Sequence, residues 1–204
     1  MKPMSVGIDI ARNVMQVHYV DKNTGEIFNK AIKREKFLEF FTNRPSCIIG
    51  MEACGGAHHW ARKLTSLGHT VKLMPGEFVK AFNIRNKNDT ADAQAIWRAV
   101  QQPGKAVAIK TEQQQAMLAL HRIRSQLMKF RLMQTNALHG LLAEYGEVMR
   151  KGHASLVRNV PEILARLSGR LPAVLIDSLR EQLGEVERTD TRITDIERRI
   201  RELS

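Results

Sequence analysis

Four acidic side chains, Asp9, Glu52, Asp89 and Asp92, stand where an apolar segment ends or a helix begins, and together they could hold a divalent metal. Asp9 lies inside Val6-Gly7-Ile8-Asp9-Ile10, a setting in which a carboxylate is costly unless it is paired, hydrogen-bonded or bound to a metal. Glu52 closes the apolar run Cys47-Ile48-Ile49-Gly50-Met51-Glu52 and is followed by the small residues Ala53, Gly55 and Gly56. Asp89 and Asp92 share the segment Asn86-Lys87-Asn88-Asp89-Thr90-Ala91-Asp92-Ala93, at a spacing that puts both on one face of a helix's first turn. An all-oxygen donor set suits Mg²⁺ or Mn²⁺, which keep waters that substrate phosphates can replace. Two such ions about 4 Å apart activate the attacking oxygen and stabilise the leaving one in phosphoryl transfer. Taken singly, each acid has a plainer role: Asp89 and Asp92 as helix cap and acidic first turn, Asp9 as the start of a turn, Glu52 as the partner of an arginine. The metal assignment rests on the set and its order.

To meet, these residues need a sheet in which the strands carrying Asp9 and Glu52 are neighbours. Apolar alternation predicts strands over 5–10, 15–20 and 26–32, with turns at Ala11-Arg12-Asn13 and Asp21-Lys22-Asn23-Thr24-Gly25. A helix over 33–43 follows, then a buried strand over 46–51, a helix over 57–67 stopped by Gly68, and a strand over 69–73 closed by Pro75-Gly76. A short helix over 77–82, a polar loop over 83–88 and a helix from Asp89 to about Gln101 complete a mixed α/β domain over 1–104.

Residues 105–204 read as an antiparallel, coiled-coil-like helical segment. Leu120, Ile123, Leu127, Phe130, Ala137, Leu141, Tyr145 and Val148 form one near-heptad seam, interrupted by Gln134. Leu179, Leu183, Val186, Ile193 and Ile200 form the other, interrupted by Asp190. The region 152–172 is expected to join the two long helices, each of which needs the other or a second subunit to bury its stripe. The heptad pattern still runs at Glu202-Leu203-Ser204, as expected of part of a longer product.

The chain has 204 residues, and Lys and Arg exceed Asp and Glu by enough to give a formal charge of +11, which favours a polyanionic partner such as DNA. Lys87 and Arg85, close before Asp89, and Arg122, Arg124 and Arg131, beside the first helical seam, are the candidate phosphate contacts. No apolar run reaches the roughly 18 residues of a membrane span, and the N-terminus carries no h-region or cleavage site. Cys47 and Cys54 match neither a zinc nor a redox spacing, so buried, reduced thiols in a cytoplasmic protein are expected. His58 and His59, about 100° apart on a helix, are not expected to share a metal.

The blocks Gly7-Ile8-Asp9, Met51-Glu52-Ala53-Cys54-Gly55, Lys72-Leu73-Met74-Pro75 and Arg85-Asn86-Lys87-Asn88-Asp89-Thr90-Ala91-Asp92-Ala93, in this order, resemble the IS110 family of transposases, in particular its IS1111-like branch. The resemblance is specific over residues 5–100 and looser beyond. It implies an RNase H-like (RuvC-like) fold, with Asp9, Glu52, Asp89 and Asp92 as the DEDD tetrad binding Mg²⁺. It also implies site-specific DNA recombination in the transposition of an insertion sequence, and assembly on a structured guide RNA. The helical segment would then mediate homo-oligomer formation and nucleic acid contact. The family pattern also includes a C-terminal domain with a serine nucleophile, which is not expected within these 204 residues; Ser155, Ser168 and Ser178 lie in the wrong part of the sequence for that role.

Two rival enzyme classes lack their own requirements. Actin-like ATPases and sugar kinases share Gly-Ile-Asp but need a phosphate-gripping turn where Ala11-Arg12-Asn13 stands. A DEDD exonuclease needs a second acid on the first strand, where position 11 is Ala. The non-enzymatic alternative is a catalytically incomplete, nucleic acid-binding and dimerising module.

Overall fold

The computed structural model describes residues 3–83, 89–104 and 106–203, with the side chains at 89 and 90 outside that description. The chain groups into two compact units, Met1–Thr111 and Glu112–Ser204.

The first unit is built on a five-stranded sheet in the order β3-β2-β1-β4-β5, with β1 Met4–Ile10, β2 Val14–Val20, β3 Ile27–Lys33, β4 Cys47–Glu52 and β5 Thr70–Met74. The first three strands form an antiparallel meander, and β4 and β5 add in parallel beside β1. The hairpin turn forms as its residues dictate: the Asp21 carboxylate accepts the amide protons of Asn23 and Thr24, and Gly25 takes a φ of 74°. The helix expected over 33–43 is shorter, a 3-10 turn Arg34–Lys36 leading into α1 Phe37–Thr42. Helices α2 Ala57–Ser66, α3 Gly76–Lys80 and α4 Asp89–Val100 complete the mixed α/β layout of an RNase H-like fold. After α4 the chain returns to the edge of the sheet, where the Val107 amide donates to the Leu73 carbonyl.

The two faces of the sheet are filled differently. One face buries Ile8, Met15, Val17, Ile49, Met51 and Leu73 against Phe37, Phe41, Trp60 and Leu64. The other is covered by α4 at unusually short range. A Cβ on Gly7 would lie 2.3 Å from the Ala93 carbonyl oxygen and 2.4 Å from the Trp97 nitrogen, and one on Gly50 would lie 2.7 Å from the Val100 Cβ. Gly7 and Gly50 are themselves paired across β1 and β4, so α4 rests on a two-glycine saddle, its backbone over Gly7 and its Val100 side chain over Gly50. On the same face, across from Gly7, His18 is buried with its ring edge-on to Trp97 at 5.2 Å.

The second unit contains α5 Glu112–Ala143, α6 His153–Leu167 and α7 Ala173–Leu203. Contacts between residues 124 and 197, 131 and 190, and 134 and 189 set α5 and α7 antiparallel. Two details differ from the sequence pattern. The segment expected only to join the long helices is itself a helix, α6, that buries Leu156, Val160, Ile163, Leu164 and Leu167. Pro161 lies inside it and costs about 3 kcal/mol against alanine; five buried aliphatic side chains at about 1.5–3 kcal/mol each outweigh it. The expected seam of α5 holds only in part: Leu127 is buried and Leu120 half-buried, but Ile123, Phe130, Ala137 and Leu141 are exposed, with Leu138 and Leu142 buried in place of residues 137 and 141, and Val148, beyond the helix, is exposed. Apolar residues occupy more than one face of α5, so side-chain type alone does not select the stripe that packs. Among the described residues no helix is long and apolar enough to cross a membrane.

Two outcomes follow for stability. Gly7→Ala forces a carbon into helix backbone, and we predict a loss of about 1–3 kcal/mol by urea denaturation. Gly55→Ala, with nothing within 4 Å of the added carbon, should stay within about 0.5 kcal/mol. His18 has its pKa lowered from 6.5, first by burial and then by Arg98. The unfolded chain therefore binds the extra proton more readily, and this contribution to stability is full above pH 6.5 and is lost as pH falls through the folded value. In urea titrations from pH 7.5 to 5, His18→Phe should show a flatter decline than the parent; parallel curves would refute this assignment.

Candidate functional site

Asp9 and Glu52 occupy equivalent ends of adjacent parallel strands. The pairing of β1 with β4 runs from Met4 with Cys47 to Ile8 with Met51, so Asp9 and Glu52 are the next residues on each, on strands about 4.8 Å apart. Side chains alternate along a strand, which puts both acids on the face of Gly7 and Gly50, the face that α4 covers. Burial raises the pKa of the neighbouring Cys54 thiol first, and the charges of Glu52 and then Asp9 raise it further, so both carboxylates act at one point.

Main-chain turns fix the end of β4. The Ala53 amide donates to the Met74 carbonyl at 2.8 Å, the Cys54 amide donates to the Glu52 carbonyl at 2.8 Å, and Gly56 takes a φ of 86° as α2 begins. The Glu52 carboxylate lies against Gly76 at the start of α3, where an added Cβ would come within 2.7 Å of its Oε1. Gly76 thus leaves room for the acid, a relation across 24 residues that no local pattern reveals.

Asp92 precedes the helix residue whose carbonyl rests on Gly7. It is partly buried, and its Oδ1 accepts the Asn83 amide at 2.7 Å. Asp89 opens α4, with its side chain outside the described residues, and Arg85 and Lys87 lie outside them altogether. Among the described residues no group of three or more His, Cys, Asp or Glu is gathered tightly enough to hold a metal ion. Asp9 and Glu52 are therefore side by side, with α4 drawn onto their face, while Asp92 is engaged with Asn83. The donor chemistry, carboxylates at rigid strand ends, fits a hard cation.

Other candidates have separate roles. The His58 Nδ1 accepts the Lys110 amide at 3.2 Å, while His59 stacks edge-on to Trp60, so the adjacent histidines do not converge. Both cysteines are free thiols; Cys47 is buried and Cys54 only partly so.

In the helical unit, Arg124 donates from its Nε to Glu197 Oε1 at 2.8 Å, and Arg131 donates to Asp190. His153 of α6 also approaches Asp190, at 3.5 Å. Thr189 donates to Gln134 at 3.3 Å. The two polar residues that interrupt the apolar seams thus belong to one polar layer across the helices. Arg122 is exposed and takes no part in it.

A family model for DEDD transposases of the IS110 type, described as transposase, matches residues 6–147. The chain is 39% identical over 197 residues to a probable family 20 transposase of Pseudomonas aeruginosa, covering 96% of this chain and 58% of that protein. It is 39% identical over 192 residues to the transposase for insertion sequence element IS1328 of Yersinia enterocolitica, covering 90% of this chain and 57% of the other. To the transposase for insertion sequence element IS1111A of Coxiella burnetii it is 37% identical over 168 residues, 81% of this chain and 46% of the other. The chain therefore spans about half the length of the curated relatives it matches.

The helical arginines can be sorted by stability. Arg131→Met removes one side of a partly exposed ion pair and leaves Asp190 facing the seam; we predict a loss of about 1 kcal/mol. A double-mutant cycle with Asp190→Asn should show coupling. Arg122→Gln should change stability by less than about 0.5 kcal/mol. Equal effects of the two single variants in urea denaturation would contradict the polar layer.

Proposed function

Because this chain belongs to the IS110 family of DEDD transposases, we propose that it carries the metal-dependent phosphoryl-transfer site used when an insertion sequence moves through DNA. Asp9, Glu52, Asp89 and Asp92 are the residues that would hold Mg²⁺ or Mn²⁺. The observation that carries this is the placement of Asp9 and Glu52 at the next step beyond a continuous parallel ladder, on the face that α4, bearing the other two acids, covers. Oxygen donors alone match the preference of a hard cation, and the Cys54 thiol beside them does not.

When bound, the metal supplies Lewis acidity toward phosphate oxygens and a more acidic bound water or hydroxyl. The chain's own contribution is placement. Central strands hold Asp9 and Glu52 with little freedom, so their negative charge is ordered before substrate arrives. A formal charge of +11 draws DNA toward the molecule. Arg85 and Lys87, next to Asp89 in sequence, and the exposed Arg122 are assigned to phosphate contact. Arg124 and Arg131 would contact phosphate only by leaving their carboxylate partners, so their share is smaller. The family resemblance adds a structured guide RNA to the proposed partners and a cytoplasmic site of action.

A second role, as a nucleic acid-binding and dimerising module, is favoured by the apolar residues that α5 leaves exposed: Ile123, Phe130, Met133 and Leu141. These suit association through the helical segment. Both roles can belong to one protein, and metal binding distinguishes an active site from a pure binding module.

Calorimetric titration of the chain with Mn²⁺ should show binding that Mg²⁺ competes for and that Asp9→Asn weakens at least about tenfold. Mn²⁺ binding that is absent, or unchanged by Asp9→Asn, together with undiminished DNA binding, would leave the binding-module role standing and remove the enzymatic one.

A further inference from the structure

Asn83 lies just beyond α3, in a turn closed by its own amide donating to the Lys80 carbonyl at 3.2 Å. Its side-chain nitrogen donates to Asp92 Oδ1 at 2.7 Å. A carboxylate accepts and an amide oxygen cannot donate, so the amide is fixed in this orientation with its own Oδ1 turned away. That oxygen is buried and has no hydrogen-bond partner among the described residues. Leaving a buried acceptor unpaired costs roughly 1–3 kcal/mol. A residue chosen only to tie α3 to α4 would not need this unpaired acceptor, because Phe78, Val79 and Phe82 already pack against Ala95, Ile96, Ala99 and Val100 there.

The short segment from Gly76 to Asn83 also touches acids at both its ends. Gly76 abuts the Glu52 carboxylate, and Asn83 grips Asp92. Between them α3 and the turn after it form a strut whose length is set by the backbone.

We propose that Asn83 is a positioning residue: it holds one oxygen of Asp92 so that the other is presented in a fixed direction for metal binding. This rests on the assignment of Asp92 as a ligand. The amide is neutral, so it orients the carboxylate without neutralising it as an Arg or Lys would. Hydrogen bonds of this kind to metal-binding carboxylates typically govern metal affinity by tenfold or more.

The test compares metal affinity with fold stability in the full chain. Asn83→Leu keeps the side chain's approximate volume and removes both the donor and the orphaned acceptor. Mn²⁺ affinity by calorimetry should fall about tenfold, while the metal-free melting temperature stays level or rises. Asn83→Ser, too short to reach Asp92, should weaken Mn²⁺ to a similar degree and serves if the leucine variant does not fold. A lowered melting temperature with unchanged Mn²⁺ affinity would make Asn83 a structural clip and overturn the proposal. Asp92→Asn and Asp9→Asn separate the two levels of the argument. If they weaken Mn²⁺ and the Asn83 variants do not, the positioning role fails and the metal site stands. If none of the four substitutions changes Mn²⁺ affinity, the metal site fails and the positioning role falls with it.

Discussion

The approach of α4 to the sheet governs the rest of the first unit. At Gly7 and Gly50 the absence of a side chain lets helix backbone, Ala93 and Trp97, and helix side chain, Val100, sit where a Cβ would be. A larger residue at either place would lift the helix, and with it the segment that bears Asp89 and Asp92. The parallel pairing of β1 with β4 aligns the two glycines, so the pairing that brings Asp9 beside Glu52 also makes the saddle. One register therefore serves both the packing and the acids, and a slip by one residue would undo both, because each side chain would turn to the opposite face.

The helical unit is held on a different principle. Its core is an ordinary set of aliphatic side chains from three helices, which are interchangeable enough to permit several registers. The layer of Arg131, Asp190, His153, Gln134 and Thr189 is not interchangeable. Partly buried polar pairs add modest stability, but a misaligned register leaves them unpaired, which penalises the alternatives. This explains why Gln134 and Asp190, which break the apolar seams in sequence, face each other's helices in the fold.

Most of the first unit was legible because its signals are local. Strand alternation, the Asp21 to Gly25 turn and the glycine and proline stops each depend on a few neighbouring residues, and the strands formed within a residue or two of expectation. The adjacency of β1 and β4 was a requirement of the chemistry and not something the pattern could show; the pairing supplies it. What stayed hidden were relations across distance. Nothing near Asn83 announces Asp92, nine residues on, and nothing near Gly76 announces Glu52. In the second unit the heptad count placed Leu127 correctly but failed elsewhere on α5, since Ile123, Phe130 and Leu141 are as apolar as the buried Leu138 and Leu142. Choosing between such stripes needs the partner helix and the polar layer, neither of which periodicity contains. The region 152–172, expected only to join the long helices, likewise contains a helix because of its buried face.

The two faces of the sheet show where stability has yielded to another demand. Against α1 and α2 the packing is aromatic and aliphatic, with Phe37, Phe41, Ile49 and Leu64 fully enclosed; the Trp60 nitrogen there is buried with no hydrogen-bond partner among the described residues. The α4 face carries more that a stability-only fold would avoid: two glycines in strand interiors and, among the described residues, a buried histidine with neither ring nitrogen bonded and a buried amide oxygen without a donor. Glycine in a strand gives up side-chain packing, and each unpaired buried group weakens the folded state. These features flank the acids on β1, β4 and α4. Local rules are broken most often where a site must be built, and here the breaks gather on the side of the sheet that Asp9 and Glu52 face.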